Sequence, residues 1–454
     1  MLNIFKKFKE PGNFKTLLFH SSWSLTLTSI LSYSFGLLRD RIFAHTFGLS
    51  RTLDIYNASF VIPDLLLNVL VGTALAAAFL PIYTKRYDED PKLGHAYARQ
   101  MLSWGVTIIV TFGVLVALTL PLYAHLVVPG FNAEELKQYI LLTRIMLLSP
   151  ILFTISNLYG RVIMSFREFL WYGLSPVMYN IGIVLGVIIL VPYAGTVGLV
   201  LGTVFGILMH LAVRYIIVRK PKYRFSHKPD LKLSPEIKET FRLMLPKMLQ
   251  YFMESLLLMS YTGMASKLSE GAIAAYNYAR NFQSLPVSML GIAVATAMFT
   301  SLSHDAGKGN LKKFITDFRR DRTRCFVYTT LAAIAMAALS KPLIGLLLGG
   351  GKFSTSDVHL LATTLQIYCL SIPLESLLHI YHRAYYSLKN TLIPSLFHAF
   401  NILLMIILAK ITAPLIGVYA IPISFACGLA LHVTILISIF PFLFRRREAQ
   451  VSAQ

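Results

Sequence analysis

Apolar runs of about 20 residues recur from one end of this chain to the other, the length a helix needs to cross about 30 Å of hydrocarbon. The pattern predicts spanning helices at roughly 16–38, 55–83, 101–127, 137–160, 169–192, 195–218, 243–264, 271–302, 325–348, 357–382, 390–411 and 415–443. Polar punctuation separates them at Pro91, Pro129-Gly130, Pro192, Pro221, Gly349-Gly350-Gly351 and Pro414. The pattern also repeats. Phe131 to Arg161 and Phe353 to Arg383 are both 30 residues apart, and the two stretches are offset by 222. Pro63 and Pro286 lie 223 apart, each inside the second helix of its half. The expected fold class is therefore all-α integral membrane. About twelve transmembrane helices form two six-helix lobes around a central cavity, the parallel-repeat plan of many transporters. The expected segments are 1–218, a basic linker 219–242, and 243–454.

Composition removes the soluble alternative. Of 454 residues 56% are hydrophobic and only 14% charged, against about 25% charged in an ordinary soluble domain. The net charge of +21 does not point to nucleic acid, because the basic residues collect in short loops between apolar runs. With the N-terminus inside, the inner segments carry 30 of the 42 Lys and Arg, so both termini are expected in the cytoplasm of a multi-pass inner-membrane protein. The N-terminal basic stretch (Lys6, Lys7, Lys9, Lys15) leads into an apolar run too long for a cleavable leader. Cys325, Cys369 and Cys427 have no CxxC spacing and read as buried free thiols.

Ionisable residues inside spans mark candidate sites, since each costs about 2.5–3.5 kcal/mol at a helix centre on insertion scales. They are Asp64 in helix two, with the polar Asn68 also a candidate there, Arg144 in helix four, Glu254 in helix seven, Arg280 in helix eight and Glu375 in helix ten. A Glu254–Arg280 pair would make a latch between states. Arg39, Arg41 and Arg51 fall in the expected first outer loop, against the charge bias; an anion site or an Arg39–Asp54 or Arg41–Asp40 pair would hold them there. Prolines inside six spans (63, 150, 176, 246, 286 and 373) permit the bends that alternating access uses. His379 and His382 share a face of helix ten, with Glu375 one turn before, a spacing open to an interfacial, metal or proton reading. No P-loop, GxSxG or HExxH occurs, so no enzyme and no cofactor is expected. Energy would come from a coupling ion or the membrane potential.

Three stretches carry a resemblance. Gly36-Leu-Leu-Arg39-Asp40-Arg-Ile-Phe-Ala44, Phe47-Gly48, Leu53-Asp54, Ile62-Pro63 and Ala78-Phe79-Leu80-Pro81 resemble the MurJ (MviN) family of lipid II flippases. Tyr278-Ala279 with Pro286 and Gly291-Ile292-Ala293, and Gly351-Lys352-Phe353 with Asp357 and Arg383-Ala384-Tyr385-Tyr386, are similar to the same family. The resemblance implies a V-shaped cavity, membrane lipids as surroundings, and a lipid-linked glycan precursor as partner. It maps substrate-binding roles onto Arg39, Asp40 and Asp54, with Arg144, Arg280, Glu254 and Asn68 as further candidates. Arginine suits pyrophosphate because its planar fork pairs bidentately and stays charged.

The chain also departs from that family's pattern. Tyr33, Leu67-Asn68 and Gly72-Thr73 stand where the family has cavity charges, and the helix-eight arginine is displaced by one residue, about 100° of turn. Those departures keep two transport alternatives open: a flippase for another polyprenyl-linked glycan, and a cation-coupled drug exporter of the same superfamily, which Asp64, Glu254 and Glu375 would suit. A membrane enzyme acting on lipid phosphates would need more than the His379/His382 pair.

Overall fold

The computed structural model describes residues 22–452, so the N-terminal lysines and the expected helix start at 16 lie outside the described residues. Every regular element in that range is helical. In chain order these are α1 (Ser22–Phe47), α2 (Arg51–Ala58), α3 (Val61–Leu66), π1 (Leu67–Gly72), π2 (Leu75–Phe79), α4 (Leu80–Glu89), α5 (Pro91–Val127), α6 (Ala133–Met146), α7 (Leu148–Ser165) and α8 (Phe169–Val218). They continue with α9 (Pro235–Ser266), α10 (Ala272–Pro286), π3 (Val287–Ile292), α11 (Ala293–Gly307), α12 (Leu311–Leu347), α13 (Thr355–Cys369), α14 (Ser371–Ser387), α15 (Leu392–Ile416) and α16 (Ala420–Ser452).

Eight helical stretches among the described residues are long and apolar enough to cross a membrane. Two of them are doubled. At 1.5 Å per residue the 50 residues of α8 would run about 75 Å, more than twice the hydrocarbon thickness, so a turn is required. It comes at Gly195 (φ 54, ψ −131). Gly417 (φ 61, ψ −138) makes the same turn between α15 and α16. α1 and α9 fall outside the eight, leaving twelve as an expectation from pattern. The surface confirms the solvent: Leu118, Leu122, Leu346 and Leu415 are 72% to 79% exposed on apolar helices, which water would punish and lipid accepts.

The chain divides into two compact units. Among the described residues unit 1 comprises 22–46, 55–126 and 131–255, and unit 2 comprises 47–54, 127–130 and 256–452. In unit 1 the two arms of α8 pack backbone to backbone. A Cβ on Gly186 would lie 2.1 Å from Gly202 Cα, and one on Gly182 would lie 2.4 Å from Gly206 Cα. Small residues allow such an approach where lipid supplies no hydrophobic drive.

The internal repeat is conformational as well as compositional. Gly195 and Gly417 stand at the same offset as Phe131 and Phe353, and they share one backbone geometry. Arg167 (φ 60) and Lys389 (φ 61), related by that offset too, take the left-handed conformation just past the ends of α7 and α14. Glycine is usual there, but a cation also faces the negative end of the helix dipole. Asn132 with Glu135 and Ser354 with Asp357 form capping boxes in matching places of the two halves. The π segments follow Pro63 and Pro286, where the missing N–H lets the ladder slip to wider bonds.

Residues 219–234 are docked. Tyr223 donates to Glu168 at 2.6 Å, Ser234 to Gln100 at 2.7 Å, and the Asp230 backbone N–H to Ser103 at 2.9 Å. Arg99 pairs with the Asp230 carboxylate. Partial burial pushes the Asp230 carboxyl up, but hydrogen bonds from Arg99, the Lys232 N–H and Gln100 outweigh it and hold the group below the usual carboxylate range.

Two expectations follow. Gly417→Ala meets open space, so any loss is backbone strain of about 1–3 kcal/mol; an unchanged thermal midpoint in detergent would contradict the turn. A depressed folded pKa contributes stability that is fully present above the unfolded value of about 3.9 and is lost below it. The linker should thus resist limited proteolysis at Lys228 and Lys232 at pH 5 and 7 and become cleavable only as the pH falls under about 3.9; Asp230→Asn should open it at neutral pH.

Candidate buried-charge sites in the membrane helices

In unit 1 the site is built around the last turns of α1. The helix runs to Phe47, so Arg39 and Arg41 belong to it and not to an outer loop as expected. Arg39 Nε and Nη2 donate to Asp40 Oδ1 at 3.0 and 2.8 Å, and Nη1 donates to Asn180 Oδ1 at 3.0 Å. The Asn180 amide donates in turn to the carbonyls of Ser32 and Pro176 at 3.2 and 3.1 Å. Arg39 is therefore paired with its neighbour Asp40, and it keeps about a quarter of its side chain exposed. The exposed remainder is a cation held in place with donors to spare.

In unit 2 the counterpart is a bidentate pair. Arg280 Nη1 and Nη2 donate to the two Glu375 oxygens, each at 2.8 Å. Gln283 Nε2 donates to the same carboxylate at 3.0 Å and to Ser371 Oγ at 2.9 Å, while Gln283 Oε1 accepts from Arg280. The guanidinium lies 4.6 Å over the Phe425 ring. Arg280 is thus paired with Glu375 within unit 2; Glu254, in unit 1, is exposed and accepts from Gln250 at 3.2 Å. Gln283 and Phe425 carry no charge and sit in no motif, so nothing in the sequence pointed to them.

Asp54 is fully buried in unit 2 and accepts from the backbone N–H groups of Gly271 at 2.8 Å and Ala274 at 2.9 Å. Gly271 (φ 81) heads α10 without a capping side chain of its own, and a Cβ there would lie 2.5 Å from Leu49. Asp54 therefore caps a helix that belongs to the second half of the sequence, with Arg51 3.7 Å away. Its geometry is that of a structural cap. Arg144 donates through Nε to the Ala117 carbonyl at 2.9 Å. Gln366, its equivalent in the second copy of the repeat, donates to the Ala337 carbonyl at 3.3 Å, so one brace recurs in both halves. Asn68 is exposed within π1, and Asp64 is half-buried in α3.

His382 is half-buried beside two histidines that the spacing of His379 and His382 did not reveal. Its ring centroid lies 5.5 Å from His432 and 6.3 Å from His398. No metal-holding group of three or more His, Cys, Asp or Glu occurs among the described residues. The cysteines are free; Cys325 and Cys369 are buried, but Cys427 is exposed on α16, where apolar surroundings accept a thiol.

Removing the Asp54 cap leaves two buried N–H groups unpaired. Asp54→Ala should lower stability by about 2–4 kcal/mol, with Asp54→Asn between it and wild type, because each orphaned donor costs about 1–2 kcal/mol. Thermal unfolding of the purified protein measures this; equal midpoints for Ala and wild type would remove the cap from the account.

Comparisons with known proteins agree with the helical plan. A family profile described as lipid II flippase MurJ matches residues 43–449. A probable lipid II flippase MurJ of Thermotoga maritima is 28% identical over 376 residues, 82% of this chain and 74% of its own. The lipid II flippase MurJ of Burkholderia cenocepacia is 24% identical over 433 residues, covering 91% and 82%. Among solved structures, a lipid II flippase MurJ in an inward closed conformation superposes with a TM-score of 0.78 at 21% identity, over 95% of this chain and 91% of that one. An inward-facing multidrug-resistance transporter of the MATE family gives 0.75 at 14%, over 93% and 95%. With its helices, its repeat and the profile match spanning most of its length, this chain belongs to the lipid II flippase MurJ family.

Proposed function

We propose that this protein is a flippase that carries lipid II, an undecaprenyl-pyrophosphate-linked peptidoglycan precursor, from the cytoplasmic to the outer leaflet by alternating access. The observation that carries the reading is the family match over residues 43–449. Both termini are placed in the cytoplasm, since 30 of the 42 Lys and Arg then fall in inner segments. Segments 1–218 and 243–454 act as the two transport lobes. Arg39 in unit 1 and Arg280 in unit 2 are each candidates to pair with pyrophosphate oxygens. Each is fixed by a carboxylate yet keeps part of its side chain exposed, 23% and 34%, which suits a group that grips and releases. π1, π2 and π3 supply places where a helix can shift register without losing its whole ladder.

A second reading has one observation in its favour. Leu67-Asn68 and Gly72-Thr73 lie in and beside π1 where the family carries charge, and a cavity with fewer cations suits another polyprenyl-linked glycan.

Complementation decides between them. Cells depleted of their own lipid II flippase should regain growth and outer-leaflet lipid II on expressing this chain. Failure by a correctly inserted protein would move the substrate to the second reading. Arg39→Ala, and Arg280→Ala made together with Glu375→Ala so that no carboxylate is orphaned, should each lower transport about tenfold or more, the loss of one charge-assisted contact of about 1.5–3 kcal/mol. Full activity in both would remove these arginines from the site.

A further inference from the structure

Arg214, one turn before the end of α8, is only 3% exposed and has no acidic partner among the described residues. Its Nε donates to Ser175 Oγ at 3.1 Å, and Nη1 donates to the Ser156 carbonyl at 2.9 Å and Asn157 Oδ1 at 3.0 Å. Nη2 makes no hydrogen bond among the described residues, leaving two donors unspent. The guanidinium lies 4.9 Å over the Tyr172 ring. Gly160 makes room for it: a Cβ there would stand 2.7 Å from Arg214 Cζ.

A buried cation held only by neutral groups is costly unless a counter-charge arrives from outside, because desolvation costs several kcal/mol and neutral acceptors return only part of it. A charge that acts on Arg214 is a second cation, half-buried Arg161, the residue after Gly160, whose own Cβ position abuts the Arg214 guanidinium. Two arginines close enough to act on each other repel unless an anion sits between them. Further cations lead up to the place: Arg219 lies over Tyr215 and Lys220 over Trp171, at 5.7 Å each. All of these residues are in unit 1, and the Lys and Arg distribution assigns this end of α7 and α8 to the cytoplasmic side.

We propose that Arg214 and Arg161 form a phosphate-binding site that takes the phosphate or diphosphate headgroup of an anionic amphiphile in the cytoplasmic leaflet. Arg214 Nη2 and the Arg161 fork supply the donors, Tyr172 closes one face, and Ser175, Ser156 and Asn157 hold the guanidinium in position. The site shares no residue with the Arg39 and Arg280 groups and needs no transport step to be occupied.

The test uses the full chain in phosphatidylcholine nanodiscs, titrated calorimetrically with farnesyl diphosphate, with dihexanoyl phosphatidylglycerol, and with farnesol as the uncharged control. Arg161→Gln removes a ligand and keeps the Arg214 brace; Gly160→Ala displaces the Arg214 guanidinium and keeps its charge. Expected is loss of one bound equivalent, or an affinity at least tenfold weaker, for the anionic probe in both variants, with farnesol unchanged. Binding of farnesyl diphosphate alone assigns the site to a lipid-linked diphosphate; binding of both probes assigns it to the phosphate chemistry shared with phospholipid. Identical titrations for wild type and both variants, each with a wild-type unfolding profile, overturn the proposal. Because binding is read without transport, this outcome is independent of complementation.

Discussion

Lipid offers no hydrogen bonds, so every polar group carried into the membrane must find its partner within the protein. Much of this structure is an answer to that constraint. Arg280 is held by both oxygens of Glu375, Arg39 by Asp40 and Asn180, and the first turn of α10 by Asp54. Where proline breaks the helical ladder, at Pro63 and Pro286, the backbone continues through π1 and π3 and does not open to lipid. The charges that stay are those with a neighbour able to neutralise or brace them, and Arg214 stands out because every group that hydrogen-bonds it is neutral.

The two halves meet the same constraint with the same devices. The capping boxes at 132–135 and 354–357, the left-handed Arg167 and Lys389, the glycine turns at 195 and 417, and the carbonyl braces of Arg144 and Gln366 all recur at the spacing of the sequence repeat. What recurs is mechanical: helix ends, turns and braces. What differs is electrostatic, since Arg280–Glu375 has a bidentate geometry that Arg39–Asp40 lacks. Shared scaffolding with unlike charges suits halves that have kept one fold and divided the work.

Helix positions were legible because apolar length is a one-dimensional signal. The repeat was legible from Phe131 and Phe353 for the same reason. The site was read only in part, and the misses have one cause. Pairing across helices depends on rotation about each axis, which sequence spacing does not report. Arg280 was visible as a charge in a span, but its partner lies 95 residues away on α14 and its stacking ring on α16. Asp54 was given a substrate-binding role by the family resemblance; that it closes the start of α10 depends on Gly271 lying beside it, which spacing does not report. His382 hid its neighbours likewise, since His398 and His432 belong to later helices.

The glycine seam within α8 bears on how such a chain assembles. Gly182 against Gly206 and Gly186 against Gly202 join positions that flank a single turn and are near neighbours in sequence, so the hairpin closes a short loop and orders little chain entropy in doing so. Every contact in the seam exists once α8 has been synthesised to its end at Val218. The hairpin can therefore mature while the second half is still on the ribosome, and helices made before it gain a finished surface to settle against. Birth order in this lobe need not follow the order of its sequence.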